Sequence, residues 1–117
     1  MQAFELADLM AQCRRSDQPY LEFLRELACS VGLYMLPAGG IDRQQPHSED
    51  EVYYVVSGQG AIQVAGEDRA VAAGSIIYVA AGVEHRFHSI SSDLAILVFF
   101  APAEGSNAEG NNKRPGD

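Results

Sequence analysis

The chain has 117 residues, 47% apolar and 21% charged, the composition of one ordinary globular domain. With 16 acidic residues against 8 basic ones its net charge is −8, which argues against nucleic acid or an anionic membrane surface as a partner. The longest apolar runs, such as Leu94–Ala101, are strand-sized; the start of the chain carries Glu5 and Asp8 but no base, unlike a secretion signal, so the expected location is the cytoplasm.

Apolar residues at Ala3, Leu6, Ala7, Met10 and Cys13 form a one-sided stripe that ends in Arg14 and Arg15, which predicts a helix over about 3–15. Pro19 closes that segment. Tyr20–Leu27 reads equally as helix or strand. From there to Phe100 the texture is short apolar runs (Val31–Leu36, Val52–Val56, Ala61–Val64, Ile76–Val79, Leu94–Phe100) broken by Gly, Pro, Asp or Ser. Many short strands with no helical pattern between them indicate an all-β sandwich or barrel. After Pro102 there is almost nothing to bury, so residues 103–117 are expected to be a flexible tail without function.

Cys13 and Cys29 are too few for a disulfide framework and match no zinc pattern; they are expected as buried thiols. The only lysine, Lys113, lies in the tail, which excludes Schiff-base chemistry from the folded part.

The histidines are His47, His85 and His88. His47 precedes the Val52 strand in Gln45-Pro-His-Ser-Glu-Asp-Glu51, and His85 follows the Ile76–Val79 strand in Ala81-Gly-Val-Glu-His-Arg-Phe-His88. Each stands at a strand end, so the two can meet at one mouth of a barrel. Imidazole with carboxylate suits iron, manganese, nickel, copper or zinc. On spacing alone, however, histidines so far apart are more often packed or solvated, and Glu49-Asp50-Glu51 is more often a solvated turn.

The stretch Gly39 to Gly58 resembles the first motif of the cupin superfamily, which runs Gly, five residues, His-x-His, three or four residues, Glu, six residues, Gly. On this chain those positions are Gly39, Gln45, His47, Glu51 and Gly58. The stretch Gly74 to Ser89 resembles the second motif at Gly74, Gly82 and His85. Three positions depart: Gln45 replaces the first histidine, Ala80 a proline and Ser89 an asparagine. The resemblance implies a small single-domain cupin. Its fold would be a double-stranded β-helix (a jelly-roll barrel) over about 20–101, with a short N-terminal helix, and Tyr20–Leu27 as an edge strand. It further implies one divalent transition metal (Fe, Zn, Mn or Ni) on His47, Glu51 and His85, with Gln45 as a weak fourth ligand, and a homodimer. Glu49 is an alternative to Glu51, since residues two apart share a face; the spacing to Gly58 favours Glu51.

If Glu51 and His85 point inward, so do Tyr53 and Phe87, while His88 faces away. Tyr53 and Phe87 would then line the pocket, with Tyr34, Leu36 and Tyr78 as candidates of no fixed facing. Such a pocket suits a small organic acid or phenol, and no basic cluster awaits a phosphate. The resemblance favours a metal-dependent enzyme of dioxygenase, isomerase, decarboxylase or lyase type. A non-catalytic small-molecule-binding or sensor module is the alternative, and a storage role ranks third.

Overall fold

A computed structural model describes residues 1–107 of the protein. Its elements are α1 (Leu6–Arg15), β1 (Tyr20–Arg25), β2 (Ser30–Leu36), β3 (Asp50–Val64), β4 (Glu67–Ala72), β5 (Ile76–Val79) and β6 (His85–Ala101). The strands pair antiparallel in the order β1-β2-β6-β3-β4, with β5 added to the first part of β3. This is the all-β jelly-roll barrel that the sequence leads one to expect.

The long strands β3 and β6 frame the barrel. They pair from Asp50 opposite Ala101 to Val64 opposite His85, and the register slips repeatedly between Val55 and Ala61. Such slips bend and twist a ladder. Gly58 sits among them at φ +97°, and a Cβ there would stand 2.1 Å from the backbone oxygen of Asp93. Only glycine satisfies both the dihedral and the approach. Before the bend β3 lies between β5 and β6; beyond it, between β4 and β6.

Alternation sorts the side chains. Glu51, Tyr53 and Val55 of β3 are buried, as are His85 and Phe87 of β6, whereas Tyr54 and Arg86 are exposed. Leu36, Tyr53, Ile62, Phe87, Ile96 and Phe100 belong to the interior, each such side chain contributing about 1.5–3 kcal/mol by leaving water. Outside the barrel, α1 buries Leu9 and Cys13 against Leu33 of β2. No described helix is long and apolar enough to cross a membrane.

Several boundaries differ from the sequence expectation. The helix begins at Leu6, because Phe4 is drawn into an edge-on contact with Phe23, ring centroids 5.0 Å apart. β1 stops at Arg25; Leu27 is exposed in a turn closed by the Glu26 N–H donating to the Cys29 carbonyl at 2.9 Å. Both cysteines are free, and Cys29 is only half-buried. Residues 103–107, expected as tail, instead pack on the barrel: Ala103 is buried, and the Glu104 N–H donates to Ser30 Oγ at 2.9 Å. The remainder of that expected tail, 108–117, lies outside the described residues.

Because neither the φ angle nor the Asp93 carbonyl can yield cheaply, Gly58→Ala should destabilise the barrel by at least about 2 kcal/mol. Thermal denaturation followed by circular dichroism measures it. A melting temperature equal to that of the wild type would show that the bend does not need glycine.

Candidate metal centre at the barrel mouth

His47, Glu51 and His85 come together at one end of the barrel, each offering a ligand atom within 4.8 Å of the others. Glu51 opens β3 and His85 opens β6, both on the inner side; His47 arrives from the loop before β3, held where its carbonyl accepts the Gly82 N–H at 2.7 Å. The His47 and His85 ring centroids are 5.5 Å apart, and Phe100 packs edge-on against His47 at 4.8 Å. Tyr53 and Phe87, rings 5.0 Å apart, form the floor under His85 and are wholly interior.

The donor atoms are set by the partners of the other ring nitrogens. His85 Nδ1 lies 2.9 Å from the Val83 carbonyl, which can only accept, so Nδ1 carries the proton. In the neutral ring His85 Nε2 is then a lone pair, and it lies 2.9 Å from Glu51 Oε1. With a neutral ring these two lone pairs make no hydrogen bond and leave Nε2 without a partner, as Glu51 Oε2 is; a proton on Nε2 turns the contact into an ion pair. Burial lowers the His85 pKa, yet the Glu51 carboxylate and the Val83 carbonyl outweigh that and hold it above the usual value. The geometry therefore calls for a positive charge between the two groups.

His47 contributes in the same sense. Its Nδ1 lies 3.4 Å from Glu104 Oε2, and its Nε2 is 3.1 Å from Gln44 Oε1 and 4.0 Å from Glu51 Oε1. The Gln44 amide is fixed by donation from Nε2 to Asp42 Oδ2 at 2.8 Å, so its oxygen faces the cluster and also accepts from the Tyr53 hydroxyl at 3.0 Å. Gln45, expected as the fourth ligand, is exposed, and its inward place is taken by Gln44. The cause is Asp42, which is buried in the same loop and pins it by accepting from the Tyr34 hydroxyl (2.6 Å), the Phe87 N–H (2.8 Å) and the Gln44 N–H (3.2 Å). Tyr78 is exposed on the outside: it stands opposite Val52, and its neighbour Val79 takes the inward place opposite Glu51. His88 faces away and pairs with Asp68 at 2.5 Å.

A cavity of about 300 Å³ adjoins the cluster, lined by Tyr20, Tyr34, Arg43, Gln44, His47, Val98, Phe100 and Glu104. Leu36, Tyr53 and Phe87, expected as lining, are in the core rather than on this wall. Sequence reasoning missed Tyr20, Gln44 and Glu104. Glu104 is half-buried, and burial, with Glu22, Glu49 and Glu51 nearby, raises its pKa despite His47. Its segment is tied down by Glu49, whose Oε1 accepts the Gly105 N–H at 2.7 Å and whose Oε2 accepts the Asn107 N–H at 2.9 Å. A run of turn-forming residues gives no sign that its own N–H groups will find a buried carboxylate.

Residues 32–100 match the family model described as the cupin domain. An uncharacterized protein of Streptomyces coelicolor is 56% identical over 104 residues, covering 89% of this chain and 99% of that one. Among solved structures, TT1209 from Thermus thermophilus is 24% identical with a TM-score of 0.72, covering 88% of this chain and 99% of that one. A predicted oxalate decarboxylase from Thermotoga maritima is 22% identical with a TM-score of 0.59, covering 71% and 78%.

Burial alone would raise the Glu49 pKa, but the Ser48 hydroxyl and the Gly105 and Asn107 N–H groups lower it overall. Since the folded carboxyl titrates below its unfolded value of about 4.3, its contribution is present above that pH and is lost as the pH falls through the folded value. Glu49→Gln should cost about 1.5–3 kcal/mol near pH 7 and progressively less on acidification below about pH 4. Denaturant unfolding of both proteins across that range measures the gap; a gap independent of pH would mean that the charge does not hold the 103–107 segment.

Proposed function

The chain belongs to the cupin domain family, and from that premise we propose that it is a metal-dependent enzyme acting on a small organic molecule, with His47, Glu51 and His85 holding one divalent transition metal. The observation that carries this reading is the pair of buried, unpartnered lone-pair atoms, His85 Nε2 and Glu51 Oε2, beside His47. Atoms of this kind inside a protein cost free energy unless a cation or proton joins them. Two imidazoles and a carboxylate suit iron, zinc, manganese or nickel. When bound, such an ion supplies a Lewis acid and a template for substrate oxygens.

The chain's own residues do the rest. The Val83 carbonyl fixes the His85 tautomer, and Glu104 fixes His47 through Nδ1, an arrangement that raises ligand basicity. Tyr53 holds the Gln44 oxygen toward the cluster. Phe100, Val98 and the Tyr34 ring exclude water from the cavity wall. Glu104 is the one carboxylate on that wall, and a titratable group beside the cluster favours an enzyme over a passive binder.

Elemental analysis of protein purified without chelator should find near-stoichiometric metal in the wild type and in His88→Ala. His47→Ala and His85→Ala should keep the barrel's circular dichroism while losing affinity by more than the roughly 10–100-fold that loss of an outer partner costs. Glu104→Gln should fall within that 10–100-fold range. A wild type that stays metal-free after anaerobic loading with iron, manganese, nickel and zinc would defeat the proposal and leave a binding module.

A further inference from the structure

We infer that the cavity beside the metal cluster takes a small carboxylic acid carrying a second oxygen, its carboxylate met by Arg43 and its second oxygen by the Tyr20 hydroxyl. The inference rests on the metal reading above and narrows its substrate to one chemical class.

Arg43 is the only lysine or arginine on the cavity wall, and it has no ion-pair or hydrogen-bond partner among the described residues. In an acidic chain with carboxylates on many faces, an unpaired guanidinium beside a cavity is available for a ligand anion. Its backbone is held from both sides. Asp42 before it accepts from Tyr34 and Phe87, and Gln44 after it is bonded to Asp42 through both its backbone and its side chain. Little ordering of the main chain remains to be done when a ligand arrives.

Tyr20 supplies the second contact. Its ring lies over Gly32, so close that a Cβ on Gly32 would stand 2.1 Å from the hydroxyl oxygen. The oxygen is buried and makes no hydrogen bond. Burial and the nearby Glu104, Glu22 and Glu51 carboxylates push its pKa up, so it stays protonated and serves as a donor. Its neighbour Tyr34 is already committed to Asp42.

Charge counting agrees. A divalent ion with neutral His47 and His85, the carboxylates of Glu51 and Glu104, and the Arg43 guanidinium leave one net positive charge, which a single carboxylate balances. A phenol offers Arg43 no carboxylate and leaves one of the two donors idle. The cavity, about 300 Å³, stands at the small end of ligand sites, and its Val98 and Phe100 walls leave room for a short apolar substituent.

The test uses cobalt(II)-loaded full-length protein, whose visible absorption reports ligands near the metal, titrated with pyruvate and with hydroxyacetone, its uncharged counterpart. Pyruvate should bind saturably, and hydroxyacetone at least tenfold more weakly. Arg43→Gln should weaken pyruvate tenfold or more and leave hydroxyacetone unchanged; Tyr20→Phe should weaken pyruvate about fivefold. Both variants should carry as much cobalt as the wild type, and Tyr20→Phe should melt no lower, since it deletes an unpartnered hydroxyl. A purely structural Tyr20 would lower the melting temperature and leave pyruvate affinity alone. Cobalt uptake with no response to pyruvate up to about 20 mM overturns the inference alone. Equal pyruvate affinity in wild type and variants, or hydroxyacetone binding as tightly as pyruvate, does the same. A protein that takes up no cobalt overturns the metal reading and this inference with it.

Discussion

Everything at the barrel mouth depends on a ladder that folds back on itself. Glu51 and Val64 belong to one strand, and Val64 pairs with His85. Were β3 and β6 straight, Glu51 and His85 would be about 40 Å apart at the usual rise per residue. Their side-chain atoms are 2.9 Å apart. The register slips between Val55 and Ala61, with Gly58 passing against the Asp93 carbonyl, supply the bend that closes this distance. The site is thus a consequence of the sheet's curvature: Glu51 and His85 inherit the stiffness of paired backbone, and His47 is tied to them from its loop by the Gly82 N–H.

Glu49 and Glu51 show how neighbouring buried acids can receive opposite treatment. Glu49 has both oxygens partnered: the Ser48 hydroxyl and two backbone N–H groups reach it. It is a completed structural anion. Glu51, two residues on, has the His85 ring at Oε1 and no hydrogen-bond partner at Oε2. The same residue type fastens the 103–107 segment in one case and leaves an oxygen unpartnered in the other. Because that segment also brings Glu104 to His47, the satisfied acid helps to position the ring that stands beside the unsatisfied one.

How much of this could be read in advance follows from where periodicity holds. Within strands it holds well: the Val52–Val56 and Leu94–Phe100 runs lie within β3 and β6, and Tyr53, Phe87 and His88 face as period-two alternation requires. Tyr78 belongs to a run too short and too evenly apolar to reveal its facing, which only the pairing with Val52 decides. In the loop before β3 there is no period at all. Spacing from Gly39 therefore points to Gln45, while a buried aspartate three residues earlier turns Gln44 inward instead. The polar segment after Pro102 misleads for a related reason: hydropathy sees side chains, and what docks residues 103–107 is mostly backbone N–H. Composition detects apolar burial readily and polar burial hardly at all.

The distribution of unsatisfied atoms carries the functional argument further than any single contact. Among the described residues, the buried side-chain polar atoms without a hydrogen-bond partner are Tyr20 Oη, Glu51 Oε2 and His85 Nε2. Folding penalises each of them, and native interiors keep few. Scattered, they would be minor packing faults. These three belong instead to one mouth, around one cavity, where Tyr20 feels the Glu51 charge and His47 bridges the cavity and the cluster. Elsewhere among the described residues the buried side-chain polar atoms are partnered, even where that requires residues 103–107 to fold back onto Glu49. A chain able to satisfy such groups and yet leaving three open at one place has stability held in reserve there, which a cation between His85 and Glu51 and an oxygen-bearing ligand at Tyr20, as proposed, would recover.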